Sequence, residues 1–393
     1  MKSLPTIAWF SYFPVEWLPE APDEVRQLPR LHPASWQRVL LEALERLHPE
    51  LRLHVVVLRK QFARDSSFTR RNVTFHLVRT PGGLRAPSLF WLDTFLIRRV
   101  LRRINPDVVH AWGTEQGAAL VARRLGYPAV VTVQGLYTWC AELGPLNIHE
   151  RLSAWVERSC FHRVPLVTTE STFSADYVRR HFNPKRLEQI EHAPASQFHE
   201  VPRRPRLAPR RFLFIGRFEA RKGADILVRA LDQLQGEIDF DLMVVGKPGG
   251  PLFEQLQREI APELWRRITF KHNLTPAQIA QELAEAALLI YPTLVDVSPN
   301  TVKEAVVAGV PVIASRVGGI PDYVVPGANG LLCEAGNLES FVRAIREAGQ
   351  HPVFGRGAVD ETTLQQMRKY LSPETMATRF WEAYQQVLTE RQK

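Results

Sequence analysis

Two clusters of residues have the types and spacing needed for chemistry on a phosphorylated, hydroxyl-rich ligand. The first is Gly216-Arg217-Phe218-Glu219-Ala220-Arg221-Lys222-Gly223. It follows the apolar run 212–215 and leads into apolar helical periodicity over 222–234, so the pattern predicts strand, turn, helix. Gly216 frees the backbone at the strand end, and Lys222 falls in the first helical turn. A helix N-terminus offers unpaired N–H groups and the positive end of the macrodipole. Adding the planar fork of Arg217 and the point charge of Lys222 gives a cradle for a diphosphate. The spacing is neither a Walker A loop nor GxGxxG, and two cations at such a turn also describe a solvated surface.

The second cluster runs from Asp296 to Ser315. The apolar stretch 288–293 predicts a strand, and a helix over 299–308 follows with Ser298 as N-cap and Pro299 at its first position. Gly309 and Pro311 end that helix. The N–H groups of Asn300 and Thr301 then face a ligand oxygen. Glu304 sits further into the helix beside the apolar run VVAGVPVIA, where a buried acid needs a partner. Asp296 precedes the helix, and the two acids suit the hydroxyls of a sugar and a ribose.

Positioning these clusters takes a regular alternation of strands and helices. Strands are expected at 6–13, 51–59, 73–80, 107–112, 129–134 and 166–170, with helices at 35–47, 88–104, 115–125, 148–162 and 173–182. Residues 201–211 (VPRRPRLAPRR) carry three prolines and five arginines without apolar periodicity and read as a linker. The alternation resumes with strands at 212–216, 240–246, 268–272, 288–293, 311–315 and 330–333. Helices are expected at 222–234, 252–260, 276–286, 299–308, 337–349 and 373–390. The fold class is therefore α/β, with two doubly wound Rossmann-like domains and ligands at the carboxyl ends of the strands. Domains are expected at 1–200 and 212–371, and a C-terminal helix over 372–393 is expected to pack back toward the N-terminal domain.

Composition narrows the function classes. At 393 residues, 45% hydrophobic and 23% charged, the chain is a folded protein with room for two cores. No apolar run approaches the ~18–20 residues that span a bilayer, and the N-terminus, broken by Pro14 and Glu16, reads as a first strand and not as a signal peptide. Cys140, Cys160 and Cys333 form neither a disulfide framework nor a metal motif, which fits a cytoplasmic protein without a metal site. The net charge of +9 is uneven: +7 falls in residues 1–200 and +2 in the rest, pointing to an anionic partner for the first half. No helix-turn-helix, OB or RRM signature accompanies that charge, so nucleic acid is not the expected partner. The amphipathic segment 89–104, with Arg98, Arg99, Arg102 and Arg103, fits either a peripheral contact with an anionic membrane or an ordinary crossover helix.

Taken together, GR…KG after a strand, DVSPNTVKEAVVAGVPVIAS, Gly318-Gly319-Ile320-Pro321-Asp322 and Asn329-Gly330-Leu331-Leu332 resemble the C-terminal domain of GT-B glycosyltransferases of family 4. The resemblance covers 211–350 well, with the motifs in order, and extends more loosely to NPDVVHAWGTEQGAALVARRLGYPAVVTVQG in the first half. It implies two domains facing a central cleft. It further implies a retaining, metal-independent hexosyltransferase that moves sugar from a nucleotide-diphospho sugar to a glycan or lipid-linked acceptor in cell-surface polysaccharide or glycolipid biosynthesis. The co-substrate is that donor, and no cofactor is expected.

By the same resemblance, Arg217 and Lys222 hold the donor diphosphate, Glu304 takes the ribose hydroxyls and Asp296 takes sugar hydroxyls. Gly216, Ser298, Pro299, Asn300 and Thr301 present the strand end and helix N-terminus, Gly246 and Lys247 approach the nucleotide, and Asn273 and Leu274 lie where the base packs. On the acceptor side stand His110, Thr114, Glu115 and Gln134; His110 fits a structural histidine equally well. Three departures mark the chain. Asp296 replaces a glutamate, Gln134 stands where many members have a histidine, and His32, Pro33 and Ser35 replace paired glycines in the first loop. A related epimerase-like enzyme or a non-catalytic sugar-binding protein would keep the same diphosphate clamp.

Overall fold

The computed structural model describes residues 5–29 and 34–391; His32 and Pro33 lie outside the described residues. The chain forms two compact units. One runs to Ala193 and resumes at Pro373, and the other spans Pro194–Ser372.

In the first unit, the strands are β1 (Thr6–Phe10), β2 (Arg52–Arg59), β3 (Ser66–Arg70), β4 (Val73–Arg79), β5 (Val108–Trp112), β6 (Ala129–Thr132), β7 (Leu166–Thr169) and β8 (Leu187–Gln189). They form one sheet in the order β3-β4-β2-β1-β5-β6-β7-β8. All neighbours are parallel except β3 against β4. The central strands are mostly apolar and buried, as expected where helices cover both faces, with His110, Thr132, Thr168 and Thr169 as buried polar exceptions. Two strands were not legible in the pattern. β3 is the polar sequence SSFTR, an edge strand turned by Arg71 at φ 49°, and β8 has three residues.

The second unit is a six-stranded, all-parallel sheet. Its strands are β9 (Arg210–Ile215), β10 (Phe240–Val245), β11 (Ile268–Lys271), β12 (Leu288–Tyr291), β13 (Val312–Ser315) and β14 (Gly330–Cys333). Their order is β11-β10-β9-β12-β13-β14. Each face carries its own apolar cluster, one around Phe212, Leu231 and Phe341 and the other around Leu213, Val306 and Tyr323.

The structure corrects the expected boundaries. Residues 201–211 are not a free linker. The change of unit comes at Ala193/Pro194, and Phe198 and Val201 are buried in the second core. The Arg203 guanidinium donates to the carbonyls of Ala286 and Gly357, both at 2.7 Å, and to that of Leu283. Proline and arginine density signalled an irregular backbone, and that backbone is packed against the unit. The helix Pro373–Arg391 belongs to the first unit, where it packs on the Ser35–Leu47 helix and on β5 and β6, burying Phe380 and Tyr384.

Candidate functional site

The two clusters of the second unit meet at the carboxyl ends of β9, β10 and β12. The Gly216–Gly223 segment is a turn ending in a short 3-10 helix, Ala220–Lys222, and Gly223 at φ 71° starts the Ala224–Leu234 helix. A Cβ on Gly223 would lie 2.0 Å from the Pro292 carbonyl oxygen, so only glycine lets this turn lie on the end of β12. The Arg221 carbonyl then accepts from the Leu294 amide at 2.9 Å. Gly246 is held as closely, since a Cβ there would lie 2.1 Å from the Gly216 oxygen.

This docking brings Lys222 to Asp296. The Nζ donates to Asp296 Oδ2 at 2.6 Å and to the Tyr291 hydroxyl at 3.1 Å, and that hydroxyl donates to the same carboxylate oxygen at 2.9 Å. Burial and the Asp296 carboxylate hold the Tyr291 hydroxyl protonated well above its ordinary range. The Asp296 backbone is fixed from the other side by Gly318, whose Cβ would meet the Asp296 oxygen at 1.7 Å. Asp296 is one methylene shorter than glutamate and reaches Lys222 because both loops are clamped by glycines.

The helix expected after Asp296 spans Asn300–Ala308, with Pro299 and not Ser298 as its N-cap. Ser298 instead pairs its hydroxyl with that of Tyr323 at 2.7 Å. Asn300 and Thr301 open the helix, so their amides have no intrahelical acceptor, and the Thr301 hydroxyl lies 3.5 Å from the Ile215 carbonyl at the end of β9. Glu304 is partly exposed, like Asn300 and Thr301 at the start of its helix, and burial pushes its carboxyl up to about 8 against the lowering effect of Lys303. Not every expected residue joins this centre. Arg217 is 72% exposed and pairs with Glu219 at 3.2 Å, Lys247 and Asn273 are exposed, and Leu274 packs on the core below them.

The first unit holds a second constellation. Here the expectation of His110 as an acceptor-side group is corrected: it is 0% exposed, with Nδ1 2.8 Å from the Tyr384 hydroxyl and Nε2 2.7 Å from Thr132 Oγ1. Burial, with His192 nearby, holds its pKa well below the ordinary value, so it is a neutral structural histidine. Thr114 is also buried, with its amide donating to Glu115 Oε2 at 2.9 Å. Glu115 and Gln134 line a cavity of about 590 Å³, together with Phe10, Trp36, Trp112 and Tyr137. Burial, reinforced by the Glu157 carboxylate, pushes the Glu115 carboxyl up to about 7 despite hydrogen bonds from backbone amides.

Comparison with known proteins decides the family. The family described as Glycosyl transferases group 1 matches residues 209–351, and Glycosyltransferase Family 4 matches residues 37–194. The chain belongs to the group 1 glycosyltransferases of the GT-B fold. This glycosyltransferase is 27% identical over 292 residues to the GDP-mannose-dependent alpha-mannosyltransferase of Corynebacterium glutamicum, covering 70% of this chain and 67% of that protein. It is 23% identical to glycogen synthase of Mycobacterium tuberculosis over 64% of this chain and 62% of that one, less than two thirds of the relative's length. In fold it is similar to sucrose-phosphate synthase of Thermosynechococcus elongatus, with a TM-score of 0.79 and 18% identity over 98% and 100% of the two chains. Anabaena HepE in complex with UDP and glucose gives 0.68 and 14% over 97% and 100%.

Several residues of the glycosyltransferase escaped the sequence reading. Tyr291 and Tyr323 hold Lys222, Asp296 and Ser298 in place, and a tyrosine closing an apolar strand is the one signal that could have pointed to Tyr291. Glu157 is fully buried and accepts from the Tyr137 and Thr138 amides at 2.7 and 2.9 Å, which anchors the Tyr137–Leu143 helix. Nothing in local periodicity marks that role.

Proposed function

We propose that this glycosyltransferase moves a hexose from a nucleotide-diphospho sugar to a hydroxyl of a glycan or lipid-linked acceptor, with retention of configuration. The observation that carries the reading is the Lys222–Asp296–Tyr291 cluster set beside the open N-terminus of the Asn300–Ala308 helix. A cation and a helix dipole at one point suit a diphosphate, and a neighbouring carboxylate suits sugar hydroxyls. Glu304, one helical turn on, would take the ribose hydroxyls, with Asn273 and Leu274 at the base. The name of the Corynebacterium relative makes GDP-mannose the first donor to try.

In the transition state, negative charge grows on the departing diphosphate as the sugar becomes oxocarbenium-like. Lys222, the helix amides and Arg217, swung in from solvent, would stabilise that charge more than the ground state, and such differential stabilisation is what lowers a barrier. Attack and departure share one face of the sugar, so the leaving phosphate oxygen takes the acceptor proton and no protein nucleophile or bound metal takes part. Among the described residues no cluster of three or more His, Cys, Asp or Glu has the geometry of a metal site. The setting would be cell-surface polysaccharide or glycolipid assembly at the cytoplasmic membrane face. No helix among the described residues is long and apolar enough to cross a membrane.

The test is thermal shift against GDP, UDP, ADP and their sugar conjugates, followed by turnover with the best donor. One nucleotide family should raise the midpoint of the wild type. Lys222→Ala should lower turnover at least 100-fold, the scale of one lost transition-state charge contact, with a far smaller loss of stability. Unchanged kinetics in that variant would remove the assignment.

A further inference from the structure

Every cation of the Gly216–Gly223 turn already stands opposite an acid. Arg217 and Arg221 share Glu219 at 3.2 and 3.5 Å with side chains 72% and 50% exposed, and water lets such pairs part at little cost. Lys222 differs. Its Nζ lies 2.6 Å from Asp296 Oδ2, and the two side chains are 17% and 15% exposed, so this pair is short, charge-assisted and largely shielded. A diphosphate that takes Lys222 therefore competes with a carboxylate of this chain.

The competition has a fixed geometry. Tyr291 is 2% exposed, accepts from Lys222 at 3.1 Å and donates to the same Asp296 oxygen at 2.9 Å. An ammonium has three N–H groups, so Lys222 keeps one for a ligand, and a phosphate on that one lies beside the Asp296 carboxylate. The backbone is clamped at Gly223 and at Gly318, so the pair parts by rotation of the flexible Lys222 side chain and not by loop movement. Asp296 then falls back on the Tyr291 hydroxyl and lacks its charged partner. The hydroxyls of a nucleotide sugar replace that partner. A nucleoside diphosphate brings none, and its terminal phosphate sets an additional negative charge against the same carboxylate.

We propose that Asp296, by holding Lys222, decides which ligand the diphosphate site keeps: it favours the nucleotide sugar over the nucleoside diphosphate that the reaction releases. The proposal rests on the transferase reading above and deepens it, giving Asp296 a part in product release besides its contact with sugar. Tyr291 is a positioning residue in it, because its hydroxyl steadies the carboxylate once Lys222 has turned to phosphate.

Titration calorimetry on the full chain tests it, with GDP, UDP and ADP against their sugar conjugates. Asp296→Asn should tighten nucleoside diphosphate binding about tenfold, the scale of one charged contact, and should not tighten nucleotide-sugar binding. Tyr291→Phe should do the opposite, weakening nucleoside diphosphate several-fold and nucleotide sugar less. Added to Asp296→Asn it should have no effect, since no carboxylate is left to steady. Nucleoside diphosphate affinity unchanged or lowered in Asp296→Asn overturns the proposal, as expected of an acid that only binds sugar or only supports the fold. Equal losses of both ligands in Tyr291→Phe overturn it too, even if Asp296→Asn does not fold. Either result, with a nucleotide still bound by the wild type, leaves the transferase reading intact. Absence of nucleotide binding by the wild type and by both variants would count against that reading and take the proposal with it.

Discussion

Glu304 shows how a single residue reports on its surroundings. The folded chain holds its proton up to about 8, whereas the unfolded chain releases it near 4.5, so between those values the folded state binds more protons. Stability from this group is therefore complete below about pH 4.5 and is lost as pH rises through about 8. Glu115, raised to about 7, acts in the same sense. His110, lowered by burial, acts in the opposite one, its contribution being lost as pH falls below its ordinary 6.5. Glu304→Gln should flatten the decline of the ligand-free midpoint between pH 5 and 8.5, read as a difference from wild type so that Glu115 and His110 cancel. Parallel curves for the two proteins would show that Glu304 is ionised in the folded state.

At the scale of elements, the helix Trp91–Ile104 presents two different faces. Its inner face buries Asp93, Thr94, Ile97 and Leu101, as the amphipathic pattern requires. Its outer face carries Trp91 and Phe95, four residues apart and 57% and 66% exposed, with Arg102 and Arg103 in the last turn. The Arg124 guanidinium lies over the Trp91 ring at 4.2 Å, and exposed aromatics beside cations are also the pairing an interfacial helix sets against anionic lipid. Arg99 is tied to Asp65 and Arg98 to the Arg124 carbonyl, which leaves the end of the helix as the basic part. The protein should float with vesicles containing anionic lipid and not with neutral ones. The pair Trp91→Ala, Phe95→Ser should reduce flotation several-fold, and flotation without lipid-charge dependence would leave the helix a plain crossover.

For the whole molecule, the position of the boundary has consequences. Phe198, Val201 and the Arg203 guanidinium are part of the second unit, so a fragment covering 194–372 keeps its core complete. A fragment beginning at residue 212 loses two buried apolar side chains, each contributing ~1.5–3 kcal/mol, and leaves the carbonyls of Ala286 and Gly357 without their donor. The 194–372 fragment should fold with a cooperative melt, and the 212–372 fragment should be several kcal/mol weaker or insoluble. Equal midpoints for the two would restore residues 201–211 as a linker. The first unit is discontinuous, because Phe380 and Tyr384 fill its core from the far end of the chain.

The sequence by itself determined the alternation of apolar strands and amphipathic helices, hence two largely parallel sheets, and it placed the Gly216–Gly223 and Asp296–Thr301 segments at strand ends. Burial on both faces writes itself locally as uninterrupted apolar runs, so these features survive without any knowledge of long-range contacts. It missed the polar edge strand Ser66–Arg70, whose pairing depends on a neighbour and not on its own pattern. Only the tertiary structure decided which charges are already engaged. Lys222 meets Asp296 across 74 residues and His110 meets Tyr384 across 274, and no periodicity encodes a partner that far away. A count of arginines made the first half basic; packing put Arg102 and Arg103 outside, buried Arg59 against Glu16 and paired Arg85 with Asp93 in the cavity wall.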